Sequence, residues 1–281
     1  MIEYVLTLSC PDRPGIVAAV AGLLAARGGN IVESQQFGDQ ATCRFFMRVQ
    51  FTVTGGHADD LRAALAGLAP EFSLEWELHD TAVLPRVLIM VSKAGHCLND
   101  LLYRQRSGQL GINIVAVASN HPDLRPLTQT NGIDYHHLPV TPETRSAQET
   151  ELLTLVEHYS ADFVVLARYM QVLSDAWCAK LPGRVINIHH SFLPGFKGAR
   201  PYHQAHARGV KLIGATAHYV TAELDEGPII EQEVARVDHT HDPSELMAIG
   251  RDTECLALAR AVRWHADHRV LLNGTKTVVF R

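Results

Sequence analysis

The first candidates for chemistry are an asparagine and a histidine two residues apart, Asn187 and His189, in the segment VINIHHSFLP. The apolar run from Val185 to Ile188 is typical of a buried strand. Alternate residues of a strand project from the same face, so the carboxamide and the imidazole would point together at the strand end. Asn187 offers an uncharged N–H donor for a developing oxyanion, and His189 can donate or relay a proton near neutral pH.

A carboxylate that could serve His189 lies in a later turn. Asp225 belongs to the turn-like sequence LDEGP, between two β-rich runs, Leu212 to Val220 and Pro228 to Val237. Such a turn could bring the carboxylate beside the imidazole, orient the ring and position a water molecule. Taken alone, the residue types favour the plainer interpretation, in which Asp225 is only a polar turn residue.

Histidine is unusually frequent, with sixteen in the chain. Three further pairs fall at short spacing: His203 and His206, His239 and His241, and His265 and His268. None of these spacings matches HExxH or a comparable ligand frame, so surface or core roles are favoured over metal binding. We therefore expect no metal and no resident cofactor.

The elements that must position these residues alternate between strands and helices from Arg86 onward. Strand-like runs cover residues 87–91, 112–118, 163–166 and 185–188, and helical segments lie near 97–107, 141–159 and 174–180. This alternation predicts a doubly wound, mostly parallel sheet whose ligands bind at the carboxyl ends of its strands. A last helix begins at Asp242, which can cap it.

The first 80 residues follow a different pattern, a strand, a helix, two strands, a helix and a strand. This order predicts a ferredoxin-like βαββαβ unit with both helices on one face of an antiparallel sheet, which leaves the other face uncovered. We therefore expect an α/β protein with two domains, residues 1–82 and residues 86–281.

Composition narrows the class of partner. The 281 residues are 47% apolar, and 25 basic against 30 acidic side chains give a formal charge of −5. Without a basic stripe, nucleic acid and anionic membranes are disfavoured, and a small molecule is the expected ligand. Five cysteines without a CxxC pair indicate a reducing compartment, and residues 16–26, the longest apolar stretch, are too few to span a bilayer. We expect a cytoplasmic protein.

The opening sequence LTLSCPDRPGIVAAVAGLLAARGGNIVESQQ resembles the ACT domain, in particular through DRPG followed by a helix and then Gly-Asn-Ile. The resemblance spans residues 1 to about 80. It implies a regulatory module that binds a small amino acid near Asp12, Gly15 and Asn30. It also implies pairing between copies of the chain, hence a homo-oligomer.

Three motifs in the second region, LARYMQVLS, NIHHSFLP and GATAHYVTAELDEGPII, resemble the formyltransferase domain that uses 10-formyltetrahydrofolate. The resemblance covers about residues 86–281. It implies that Asn187, His189 and Asp225 form the catalytic triad. It also implies a pterin site lined by Met170, Gln171, Val172 and Leu173.

The acceptor of the formyl group is the open question. Glycinamide ribonucleotide transformylases have a Gly/Ser-rich phosphate loop after the first strand of this domain, where this chain has VSKAGHCL. A single glycine remains and His96 and Cys97 follow it, which weakens phosphate binding, although Ser92 and Lys93 could still bind an anion. Methionyl-tRNA formyltransferases append a C-terminal β-barrel and need a basic surface, and neither is predicted here.

An ACT-like module ahead of a formyltransferase domain resembles the arrangement of formyltetrahydrofolate deformylases. It implies hydrolysis of 10-formyltetrahydrofolate to formate and tetrahydrofolate, which supplies formate for purine synthesis and balances one-carbon folates. Asp225 would position water and help deprotonate it, Asn187 would bind the oxyanion, and His189 would stabilise that charge and relay a proton. Two alternatives stay open: a formyltransferase with an amine acceptor, and a non-catalytic regulator that binds folate or an amino acid.

Overall fold

The computed structural model describes residues 1–55, 58–193 and 201–281, and the chain forms two compact units. The N-terminal unit contains Met1–Leu84 together with Asp267–Asn273 and Thr277–Arg281. The C-terminal unit contains Pro85–Ala266 and Gly274–Lys276. The predicted second domain, residues 86–281, therefore differs from this division at its C-terminal end.

The N-terminal unit has the predicted βαββαβ order. Its elements are β1 (Ile2–Pro11), α1 (Ile16–Ala25), β2 (Gly29–Asp39), β3 (Arg44–Val53), α2 (Ala58–Phe72) and β4 (Glu75–Asp80). The sheet order is β2-β3-β1-β4 and every pairing is antiparallel. Leu6 and Leu8 alternate along β1 into one core with Leu24 of α1 and Leu65 of α2, so both helices cover the same face.

The other face of this sheet is covered by the C-terminal residues, contrary to the prediction that it stays open. The final helix ends at Ala266, so His268 lies beyond it, and a hairpin of two short strands follows. Arg48, 2% exposed on this face, donates from Nε and Nη2 to the carbonyl oxygen of Asp267 at 3.2 and 3.1 Å. Arg269 pairs with Glu33 at 2.9 Å. Because the hairpin is short, its apolar pattern was not enough to predict this covering from the sequence.

The C-terminal unit alternates strands and helices. Its elements are β5 (Arg86–Val91), α3 (His96–Arg106), β6 (Asn113–Ser119), α4 (Arg125–Gln129), β7 (Asp134–His137), α5 (Arg145–His158), β8 (Phe163–Leu166), α6 (Asp175–Cys178), β9 (Val185–His189), α7 (Pro201–Arg208), β10 (Leu212–Tyr219), β11 (Ile229–Arg236) and α8 (Pro243–Ala266). The C-terminal hairpin is β12 (Val270–Asn273) and β13 (Lys276–Val279). The short elements β7 and α4 were not predicted.

The seven-stranded sheet of this unit has the order β11-β10-β9-β8-β5-β6-β7. Strands β9, β8, β5, β6 and β7 pair in parallel, and β10 is antiparallel to both of its neighbours. Helices α3 and α8 contact each other, and α8 packs on β9, β10 and β11. Leu152 and Val156 of α5 pack with Leu88 and Val164, so helices cover both faces, as predicted.

Strand order reverses between β5 and β8, because the chain winds from β5 toward β7 and then returns to β8 and β9. In doubly wound sheets, the crevice at the carboxyl ends of two such strands is where ligands bind. Within the described ranges, no helix is both long enough and apolar enough to cross a membrane.

Replacing Arg48 with Met tests the covering of the N-terminal sheet. Arg48 is buried and bonds Glu33 at 2.8 Å as well as Asp267, so its loss removes these bonds from a buried position. We expect the free energy of unfolding to fall by about 2–4 kcal/mol. Arg44→Met is the matched control on the same strand, because Arg44 pairs with the exposed Glu75, and it should cost less than about 1 kcal/mol. Equal losses in urea denaturation would contradict this account.

Candidate active site

A cavity of about 280 Å³ opens at the carboxyl ends of β8 and β9. Three segments line it: residues 168–173 after β8, residues 187–190 at the end of β9, and residues 220–225 after β10. All three predicted triad residues and all four predicted pterin-site residues are among its lining: Met170, Gln171, Val172, Leu173, Asn187, His189 and Asp225. Pro194, the last residue of the NIHHSFLP motif, lies outside the described residues.

His189 and Asp225 are in hydrogen-bond contact at this cavity. Nδ1 of His189 lies 3.2 Å from Oδ2 of Asp225, and both side chains are largely buried. The hydrogen bond from His189 is the largest cause that holds the pKa of the Asp225 carboxyl far below its usual range. Such a carboxylate is a weak base, so it suits orienting and stabilising a charged imidazole better than taking a proton from water. Nε2 of His189 is buried and has no hydrogen-bond partner in the described part of the chain.

His218 completes the group, and the sequence analysis missed it. In the antiparallel register His218 of β10 stands opposite Asn187, and its Nε2 lies 3.2 Å from Nδ2 of Asn187 and 3.7 Å from Oδ1 of Asp225. Nδ1 lies 2.8 Å from the carbonyl oxygen of Tyr219 and must donate to it. In the neutral ring Nε2 therefore accepts from the Asn187 amide, which orients that amide and leaves its second N–H available.

The backbone that carries Asp225 is strained. Asp225 has a φ of 58°, in the left-handed region that non-glycine residues seldom adopt. Gly227 lies so close to the carbonyl oxygen of Tyr219 that a Cβ there would stand 1.7 Å from it. The absence of a side chain at Gly227 lets the turn fold back on β10 and brings Asp225 to both histidines.

The segment after β8 is fixed at several points. Met170 N–H donates to Oγ of Ser92 at 2.9 Å, and Ser92 in turn donates to Oδ1 of Asn120 at 2.7 Å. At the far end, Ser174 N–H donates to Glu149 at 2.8 Å, and Arg145 donates to the carbonyl oxygen of Val172. Because Ser92 is 3% exposed and its hydroxyl is already bonded, the suggestion that it binds an anion is wrong.

Exposed apolar side chains mark the mouth of the cavity. Met170 and Val172 are 58% and 53% exposed, whereas Leu173 is buried. Such side chains on a fixed segment offer a surface that a flat aromatic ring system can cover.

His190 follows His189 and stacks on it, with ring centroids 4.9 Å apart. Burial, then the positive charge of Arg168 and then the neighbouring His189, lower the pKa of His190 to about 4. The ring is therefore neutral at physiological pH.

One group of potential metal ligands occurs among the described residues. Its members, His96, Cys97 and Glu254, offer atoms that lie within 4.8 Å of one another. Glu254 is already paired with His96 at 2.7 Å and with Arg168 at 3.4 Å. A cation there would compete with the Arg168 guanidinium, so these side chains fit an internal ion-pair network better than a metal. The histidine pairs considered from sequence do not belong to the group.

The predicted effector residues are not brought together within one chain. Asp12 and Gly15 follow the end of β1, which pairs with Arg44 at the start of β3. Asn30 lies at the start of β2 and pairs with Thr52, near the opposite end of β3. Eight residues of strand separate the two ends, about 27 Å. The sequence pattern predicts the order of the strands, but it does not predict the antiparallel register that separates these residues.

Comparison with known proteins adds to this geometry. Residues 85–262 match the formyl transferase family and residues 4–66 match the ACT domain. A formyltetrahydrofolate deformylase from Corynebacterium sp. (strain P-1) is 53% identical over 100% of this chain and 99% of its own length. A solved formyltetrahydrofolate deformylase from Burkholderia mallei is 54% identical, with a TM-score of 0.97 and full coverage of both chains. The chain belongs to the formyltetrahydrofolate deformylase family.

This family membership agrees with the two-part organisation, since likeness to the deformylases runs over the whole chain. A solved glycinamide ribonucleotide transformylase 1 from Symbiobacterium toebii is also similar, at 30% identity and a TM-score of 0.66. That likeness covers 73% of this chain and 98% of the transformylase. The transformylase thus shares the fold of one part only.

The neutral state of His190 predicts a pH dependence of stability. As the pH falls below 6.5, the ordinary pKa of a histidine, the unfolded chain binds a proton at this residue, while the folded chain does so only near pH 4. The unfolded state then binds more protons, so stability is lost between about pH 6.5 and 4. Between pH 7 and 4.5 we expect the free energy of unfolding of His190→Gln to fall by about 1–3 kcal/mol less than that of the wild type, measured by urea denaturation. His239→Gln, at an exposed site, should lose as much as the wild type; a similar pH slope in all three proteins would contradict the assignment.

Proposed function

We propose that this protein hydrolyses 10-formyltetrahydrofolate to formate and tetrahydrofolate, with water as the formyl acceptor. The observation that carries the proposal is the unpartnered Nε2 of His189 at the wall of the cavity, on a ring whose Nδ1 lies beside Asp225. The names of the full-length relatives support the substrate and the reaction. The reaction needs a base, an oxyanion donor and a site for a folate, and the side chains at this cavity can supply each.

The pterin of the substrate binds against the segment after β8. Met170, Gln171, Val172 and Leu173 give it apolar contact and backbone groups, and the fixed ends of this segment reduce the ordering cost on binding. The formyl group at N10 then points toward the end of β9, where Asn187 and His189 project together.

Attack begins when His189 takes a proton from water at Nε2 while the water oxygen bonds to the formyl carbon. Asp225 stabilises the imidazolium that forms, through the bond at Nδ1. The formyl oxygen gains negative charge and accepts the second N–H of Asn187, whose first N–H is bonded to His218. This assigns the base to His189, and gives Asp225 the role of orienting and charging it.

Collapse of the tetrahedral intermediate completes the reaction. The imidazolium donates its Nε2 proton to N10, the bond between the formyl carbon and N10 breaks, and formic acid leaves as formate after losing its proton. His189 returns to its neutral state. The side chains perform these steps without a resident cofactor, and the free thiols of all five cysteines support a reducing, cytoplasmic setting. Released formate would feed purine synthesis and the balance of one-carbon folates.

The direct test is purified protein with 10-formyltetrahydrofolate and no amine acceptor, with formate measured over time. We expect stoichiometric formate and tetrahydrofolate from the wild type. Asp225→Asn should lower turnover by about 10²–10⁴, because the amide cannot stabilise the imidazolium, with little change in KM. Glu226→Gln, on the same turn and outside the cavity lining, is the matched control and should keep most of the turnover. Wild-type protein that releases formate only when an amine is added would contradict the proposal.

Assembly through the N-terminal unit is the second part of the proposal. Strand β2 is a sheet edge, and Ile31, Val32 and Phe37 expose apolar surface along it. An exposed apolar edge favours pairing with another strand. Two-fold antiparallel pairing of β2 edges would bring Asn30 of one copy toward the Asp12 end of the other, which would rejoin the divided effector residues across two copies.

Charging this edge tests the assembly. Val32→Lys combined with Phe37→Lys should lower the mass measured by light scattering and remove any response of turnover to small amino acids. Val17→Lys, on α1, is the control and should leave the mass unchanged. An unchanged mass in the edge variant would place the interface elsewhere.

A further inference from the structure

Charged side chains of the chain itself meet near the carboxyl ends of β5 and β8. This is the point where strand order reverses, at which a doubly wound sheet usually offers a ligand site. Arg168 follows β8 there, and α3 begins at His96 after β5. Both side chains turn to Glu254 of α8, which is 2% exposed.

Glu254 has two hydrogen-bond donors, His96 and Tyr202, and a further ion pair with Arg168. Oε2 lies 2.7 Å from Nε2 of His96 and 3.4 Å from Nε of Arg168, and Oε1 accepts from the hydroxyl of Tyr202 at 3.1 Å. We call His96, Arg168, Tyr202 and Glu254 the Glu254 network. A buried carboxylate is costly unless it is bonded in this way, and here the surrounding donors and charges compensate it.

Gly250 provides the space that Tyr202 needs. It lies one turn before Glu254 on the same face of α8, and a Cβ there would stand 2.0 Å from the Tyr202 hydroxyl oxygen. A glycine inside a helix is destabilising relative to alanine. The close approach of Tyr202 is thus a packing feature of α8 that depends on this glycine.

The Glu254 network adjoins the reacting groups. Arg168 also lines the cavity, at a φ of 66°, and the charges of Arg168 and Glu254 act on His190, the neighbour of His189. A second substrate that delivers an amine to the formyl carbon must reach the same three side chains. Within the described residues, the carboxylate of Glu254 already pairs with His96 and Arg168.

We propose that the Glu254 network occupies the position of a second substrate and thereby leaves water as the nucleophile. This inference rests on the proposed function and concerns its specificity. The carboxylate of Glu254 satisfies Arg168 and His96, which would otherwise attract an anionic acceptor. A water molecule needs no such site, since it is small enough to reach the formyl carbon beside His189.

The test compares the fate of the formyl group in wild type, Glu254→Gln and His96→Ala. Each is given 10-formyltetrahydrofolate alone, with ethanolamine, or with O-phosphoethanolamine, and both formate and N-formyl product are measured. Glu254→Gln keeps the shape of the side chain but leaves Arg168 and His96 without an anion. We expect its ratio of formyl transfer to hydrolysis with O-phosphoethanolamine to exceed that of the wild type by about tenfold or more.

Comparing the two amines distinguishes the effect of a lost charge from the effect of added space. Glu254→Gln should favour O-phosphoethanolamine over ethanolamine, whereas His96→Ala, at a partly exposed position, should raise transfer to both by opening room. Glu231→Gln, a buried carboxylate on β11, is the matched control and should keep the wild-type ratio.

Wild-type ratios in both folded variants, or a wild type that formylates O-phosphoethanolamine faster than it hydrolyses the substrate, would overturn the inference. If Glu254→Gln does not fold, the ratio measured for His96→Ala alone decides whether the inference holds. A wild type that releases no formate under any condition is a different result, because it refutes the proposed function and this inference with it.

Discussion

The ionised carboxylate of Asp225, shared between His189 and His218, is the interaction on which the rest of the site depends. It lies 3.2 Å from one imidazole and 3.7 Å from the other. A carboxylate in this position fixes the orientation of the His189 ring and favours its charged state when a proton arrives. It can do so only because the turn adopts a left-handed backbone at Asp225 and folds against β10 at Gly227. Backbone strain is thus concentrated at the residue that the chemistry needs.

Two neighbouring regions at the carboxyl ends of the parallel strands differ in openness and in charge. Around the end of β8 and β9 the cavity is open, with exposed apolar side chains such as Met170 and Val172. Toward β5, the buried Glu254 is bonded by His96, Arg168 and Tyr202. The first region can receive a large ring system, while in the second the carboxylate of Glu254 is already paired with His96 and Arg168. Arg168 belongs to both, since it lines the cavity and pairs with Glu254.

The alternation of strand residues was enough to predict from sequence that Asn187 and His189 share a face. The turn made Asp225 a candidate partner for His189, but only the family resemblance favoured this role over that of an ordinary turn residue. His218 could not be predicted, since it meets Asn187 through the antiparallel register of β10, which no local pattern specifies. The same limitation explains the effector residues, which the pairing of β2 and β3 separates.

The C-terminal limits of the two units also could not be predicted from local sequence patterns. Periodicity predicted the order of the N-terminal elements, and the structure confirms it. The covering of its sheet by residues 267–281 depends on long-range contacts, such as Arg48 with the carbonyl oxygen of Asp267. A charged residue in the middle of an apolar strand was the available signal, because Arg48 is buried only if a partner from elsewhere satisfies it.

The central claim is that water, activated by His189 and Asp225, attacks the formyl carbon. A single turnover of 10-formyltetrahydrofolate in ¹⁸O-labelled water, without any amine, tests it most directly by mass spectrometry of the products. The account predicts formate that carries one labelled oxygen and tetrahydrofolate that carries none. Formate without label, or a formyl group retained on a protein side chain, would contradict it.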